Sequence, residues 1–236
     1  VASMDPDSTL SAAPVGGRSI RGTIAVAVVA VLLIVAAFAI GRISAPVSTP
    51  PGTTSAEAGF ARDMQTHHHQ AVEMSFIVRD ASDDDEVRLL AFDIATAQGA
   101  QAGQMYGWLD TWGLPQLESE PSMTWMTRPP LSGDGTTHAH DDASQSAHTA
   151  GDPMPGLATA EQITRLKSLD GVDAERYYLQ LMIAHHEGGV LMANAVLERS
   201  TERVVVSVAK GIVLSQTTEI EYMQALLERR GGPLPD

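Results

Sequence analysis

One stretch of this chain occurs twice, and that duplication restricts the fold more than any other feature. Met64, His67, His68, Val72 and Met74 recur as Met182, His185, His186, Val190 and Met192, at one offset (182 − 64 = 118). With the offset held and no gap introduced, Glu57 meets Glu175, Ile94 meets Ile212, Gln98 meets Gln216, Met105 meets Met223 and Leu109 meets Leu227. A gapless match of this length implies two copies of one supersecondary unit. Two copies are too few for a solenoid. A helical hairpin that buries its apolar face against its twin fits better.

The punctuation predicts where the helices lie. Ser55 is placed to cap a helix over about 56–80, and the acids Asp80–Asp85 suit the positive end of the next helix, over about 84–112. Gly113 and Pro115 stop that helix. Thr159 with Gln162 forms a capping box for a short helix reaching about Leu169. Two long helices follow, over about 173–199 and 201–230, and Gly231-Gly232-Pro233 ends the last. The expected fold is all-α: an antiparallel four-helix bundle of two duplicated hairpins related by a pseudo-twofold axis. A long connector rich in Pro and Gly, residues 114–156, joins the hairpins and is expected to be flexible.

Ahead of the bundle, Ile24–Ile40 is unbroken apolar sequence, and the wider run Ile20–Ile43 reaches the ~20 residues that cross a bilayer. Arg18 and Arg21 precede it, which predicts a cytoplasmic N-terminus and an extracytoplasmic C-terminal domain. Ala37-Phe38-Ala39 also fits a signal-peptidase site. Signal cores run to only about 7–15 apolar residues, so an uncleaved single-pass anchor is the favoured reading. The domain plan is then a tail over 1–19, an anchor over 20–43, a tether over 44–55 and the bundle over 56–232.

Composition removes several functions. A formal charge of −14 opposes nucleic-acid binding. The absence of cysteine excludes disulfides, a cysteine-linked lipid and Cys-based zinc or iron–sulfur sites. No phosphate loop, Ser-His-Asp order or paired-acid constellation stands out, so the chain is read as a non-enzyme. Di-iron chemistry would need Glu-x-x-His pairs, and no Glu lies three residues before His67, His68, His185 or His186.

The duplicated motif carries the chemistry that remains. Residues three and four apart share a helix face. Met64, His67, His68 and Met74 therefore form one candidate ligand set, and Met182, His185, His186 and Met192 its twin. Imidazole with thioether suits copper better than magnesium or calcium. Gly188 and Gly189 cost about 1 kcal/mol each within a helix, which is intelligible if another helix or a ligand approaches closely there. Gln98 and Gln216 are candidate hydrogen-bond partners for the motif histidines. Met105 and Met223 read as core packing, and Met123 and Met126 beside Trp125 as either a methionine site or, the blander account, an apolar patch covering the bundle. His138, His140 and His148 form a weaker second metal candidate in the connector.

These motifs, with Met154-Pro155-Gly156 before the third long helix, resemble the bacterial family called domain of unknown function 305, over about Ser55–Gly232. The resemblance implies a ferritin-like bundle, usually exported or membrane-tethered, and copper binding or tolerance in some members. The sequence departs from the family pattern at Leu157, where methionine is common, and at the Gly188-Gly189 pair. The expected function is membrane-tethered metal handling with a copper ion as ligand. The alternative is a non-catalytic accessory subunit of a membrane complex, such as a respiratory oxidase, in which the motifs serve packing. Oligomeric state is not legible.

Overall fold

The structure is a computed structural model, and it describes residues 20–44, 49–117, 120–131 and 149–235. The chain divides into two compact units, Val1–Thr49 and Pro50–Asp236. In the first unit α1 covers Ile20–Ser44. Its window Gly22–Arg42 has a mean hydropathy of 3.1 and none of it is buried. Among the described residues it is the one helix long and apolar enough to cross a membrane.

The second unit is an antiparallel four-helix bundle. Its long helices are α2 (Ala56–Ala81), α3 (Asp85–Thr111), α5 (Gly171–Leu197) and α6 (Arg203–Arg229), with the short α4 (Ala160–Lys167) before the second hairpin. Three of them start at a side-chain cap. The Ser55 hydroxyl accepts from the Ala58 amide, and the Asp84 carboxylate accepts from that of Val87. The Thr159–Gln162 capping box is complete. Gly113, at φ +68°, follows α3 in the left-handed conformation that glycine adopts without strain.

The duplication is visible in three dimensions. α2 pairs with α3 and α5 with α6, and the hairpins meet through α2 against α5. Even the turns repeat: the Ser82 hydroxyl accepts from the Asp84 amide, and 118 positions on the Ser200 hydroxyl accepts from that of Glu202. One end of the bundle is locked by charge. Buried Glu175 accepts from the Ser82 hydroxyl at 2.7 Å and from Arg230 Nε at 2.6 Å, while Arg230 also pairs with Asp84 at 2.9 Å. Satisfying a buried carboxylate from two elements avoids the several kcal/mol that an unpaired buried charge costs.

The described parts of the connector are packed against the bundle. A short 3-10 helix, Thr124–Thr127, buries Trp125. The Trp125 indole N–H and the Met123 amide both donate to Asp63 Oδ2, at 2.8 Å each. Burial raises the Asp63 carboxyl above its ordinary range, and these two donors offset part of that. Trp125 lies edge-on to Phe60, with centroids 5.7 Å apart, and its side chain fills the space that a Cβ on Gly59 would need.

Candidate metal centre

Four imidazoles meet where α2 crosses α5. His67, His68, His185 and His186 are fully buried. The His67 and His185 rings lie nearly face to face, with centroids 3.7 Å apart and planes 32° apart. His68 and His186 flank them, at ring separations of 6.4 and 6.1 Å from their neighbours. Adjacent histidines sit about 100° apart around a helix, so one of each pair faces the other hairpin and the other faces its own.

The outer two repeat the symmetry. His68 Nε2 donates to Gln101 Oε1 at 2.7 Å, and His186 Nε2 donates to Glu219 Oε2 at 2.7 Å. Gln101 and Glu219 are again 118 apart, so one position carries an amide in the first hairpin and a carboxylate in the second. The inner two break the symmetry. His185 Nε2 donates to the His67 carbonyl at 2.8 Å, whereas His67 Nε2 donates to the carbonyl of Pro155 at 3.1 Å. The connector supplies that carbonyl. Pro155 and Gly156 press so closely on α5 that a Cβ on Gly188 would lie 1.9 Å from the Pro155 oxygen. A Cβ on Gly156, at φ +71°, would lie 2.0 Å from the Ala184 oxygen. Gln70, the counterpart of Gly188, clamps the same connector segment through both the amide and the carbonyl of Ala158.

A carbonyl can only accept, so the bonds of His67 and His185 fix the proton on Nε2. Burial then keeps the rings neutral. Desolvation lowers His67 to about 4 and His68 to about 3, and His185 well below its ordinary 6.5. Each is also depressed by the charge that its neighbouring histidines would carry. In all four rings Nδ1 is buried with no protein group in hydrogen-bonding range. A neutral imidazole whose Nε2–H is held by an oxygen, leaving Nδ1 as a lone pair, is in the form that ligates metal.

The methionines lie on either side of this layer, all fully buried. Met64 and Met192 belong to one core cluster, with Met105, Phe60 and Trp125. Met74 and Met182 belong to the other, with Met223 and Tyr178. The offset exchanges the two sets. Met105 and Met223, assigned from sequence to packing, thus share their clusters with the motif methionines. Among the described residues no three His, Asp or Glu side chains converge on a ready-made metal position, so a bound ion would need other donors as well. His138, His140 and His148 lie outside the described residues.

Sequence reasoning missed Gln101, Glu219 and the Pro155 carbonyl. The first two were findable, because they sit on the repeat one helical turn beyond Gln98 and Gln216. The carbonyl was not, since a backbone acceptor leaves no mark on residue type.

The fold and this core define a helical bundle with a duplicated His/Met interior, preceded in the sequence by an apolar helix. The chain belongs to the family described as domain of unknown function (DUF305), which matches residues 57–227. Among solved structures, a DUF305 protein from Streptomyces coelicolor is 49% identical with a TM-score of 0.66, over 78% of this chain and 99% of that one. A DUF305 fragment from Deinococcus radiodurans is 30% identical with a TM-score of 0.55, over 74% and 96%. CopM in its Cu(I)-bound form shares the fold at 19% identity and a TM-score of 0.51, over 74% and 96%. Among curated proteins none matches this chain.

Proposed function

We propose that this protein is a membrane-tethered, extracytoplasmic copper-binding protein that acts by holding the ion rather than by catalysis. The carrying observation is the set of four buried imidazoles whose Nε2 atoms are engaged by oxygen acceptors and whose Nδ1 atoms have no protein partner. Leaving such atoms unpaired in a core costs about 1–3 kcal/mol each, a cost that ligand binding recovers. His67, His68, His185 and His186 would supply nitrogen, and Met64, Met74, Met182 and Met192 thioether sulfur. That donor set suits copper in either oxidation state. CopM, which shares the fold, has been crystallised with Cu(I), Cu(II) and silver. The apolar α1 supports tethering, and Arg18 and Arg21 at its N-terminal end support an extracytoplasmic bundle.

Equilibrium dialysis of the detergent-solubilised chain against Cu(II), and against Cu(I) under reductant, tests the reading. The chain is expected to retain copper, and the variant H67A/H68A/H185A/H186A, checked for helix content, to lose it. A folded variant that binds as the parent does would overturn the assignment.

A further inference from the structure

Gln98 and Gln216 are the polar side chains in this core that no contact explains. Gln98 is 3% exposed and Gln216 is 2% exposed, yet neither the amide nitrogen nor the oxygen of either has a protein partner in range. They are repeat equivalents, so this is not one local misfit. Among the described residues, most of the unpartnered buried side-chain atoms belong to these two amides and the four imidazoles. The amides also lie one helical turn from the residues that hold two of those imidazoles. Gln98 is one turn before Gln101, which binds His68, and Gln216 is one turn before Glu219, which binds His186. On the facing helix, a Cβ on Gly189 would lie 2.3 Å from Gln216 Oε1. Gly189 follows His186 by three residues. The bare backbone there lets the Gln216 amide press against α5 one turn after His186.

Burying a primary amide with both ends unsatisfied is among the costlier choices a core can make, and a leucine or methionine would fill the same volume without that cost. Two such amides at symmetric positions call for a ligand.

We infer that Gln98 and Gln216 are ligand-facing residues of the histidine layer, their amide oxygens completing a nitrogen–oxygen donor set for a borderline divalent ion, Cu(II). This rests on the copper reading above and deepens it by assigning the oxidation states to different layers. An amide oxygen is a harder donor than thioether and adds little for Cu(I). Cu(I) belongs instead with the methionine sets on either side. The layer lacks three converging His, Asp or Glu donors of its own, and the amides supply what is missing.

The test uses the full chain in detergent with Q98M/Q216M, which keeps side-chain length and removes both amides. Cu(II) affinity by competition titration is expected to fall about 10-fold or more, the scale on which supporting residues of metal sites act. The Cu(II) electron paramagnetic resonance spectrum should shift with the loss of oxygen ligation. Cu(I) affinity should be unchanged or higher. The metal-free variant should melt at a higher temperature than the parent, because the unsatisfied amides are gone. Q216E, which keeps an oxygen at the same reach, should retain Cu(II) binding. A folded Q98M/Q216M with parental Cu(II) affinity and spectrum overturns the inference while leaving the copper reading intact. If the parent chain takes up neither ion, the copper reading falls, and this inference with it.

Discussion

At the scale of the residue, the glycines of α5 separate a cost that can be read from sequence from a cause that cannot. Glycine inside a helix gives up about 1 kcal/mol relative to alanine, so Gly188 and Gly189 announce that something stands close by. What stands there is a carbonyl oxygen for one and a glutamine amide for the other. The same substitution should therefore have opposite signs at two helical glycines. Gly103 in α3 is exposed and has no atom within 4 Å of a built Cβ, so Gly103→Ala should stabilise the bundle by up to about 1 kcal/mol. Gly188→Ala drives a methyl into the Pro155 carbonyl, and both partners are backbone. Overpacking of that kind costs about 1–3 kcal/mol, which outweighs the propensity gain. Urea unfolding of the two variants decides the matter. Equal stabilisation would mean that the connector does not bear on α5 as described.

At the scale of the element, most of the helical plan was legible. Ser55, Asp84 and the Thr159–Gln162 box each cap a helix within a residue or two of where composition placed them. The offset fixed the hairpins. It also located the motif histidines on one core, because a face that repeats in two copies must serve the contact between them. The connector was less legible. Trp125, Met123 and Pro155 act through a buried carboxylate and a backbone carbonyl, and neither has periodicity to betray it. Each hairpin alone exposes the face that holds its histidines, and two helices of this length do not bury a core by themselves. Separately made fragments covering residues 50–131 and 149–235 should each show weak helicity by circular dichroism. Mixed at equal concentration, they should regain it, since His185 with the His67 carbonyl, Gln70 with Ala158 and Lys167 with Glu73 all join one fragment to the other. Full helicity in either fragment alone would refute the claim that the halves fold by pairing.

At the scale of the whole molecule, two electrostatic effects compete as pH falls, and their magnitudes can be ranked. The chain carries a formal charge of −14 at neutral pH, and protonating surface carboxylates relieves self-repulsion. Asp63, raised by burial, also favours the folded state as it takes up its proton. The histidine layer works the other way. In the unfolded chain these rings protonate near 6.5, whereas in the fold His67 and His68 wait until about 4 and about 3, and His185 lies well below 6.5. Between those limits the unfolded state binds more protons, so their stabilising contribution is complete above about pH 6.5 and is lost as pH drops below it. His67 and His68 each remove up to about 2 kcal/mol by pH 5, and His185 acts in the same direction, so the loss is a large part of the stability of a typical domain. The lowered carboxyls Asp84, Glu86 and Glu161 titrate below their ordinary 3.8–4.5, so they do not mask this window. The urea midpoint of the metal-free protein should therefore fall steeply from pH 6.5 to 5, against the trend expected from net charge alone. Copper bound at Nδ1 should hold the midpoint up over the upper part of that range, until protons displace the metal. A midpoint that rises or stays level on acidification would show that His67, His68 and His185 are not the dry, neutral imidazoles on which the copper reading depends.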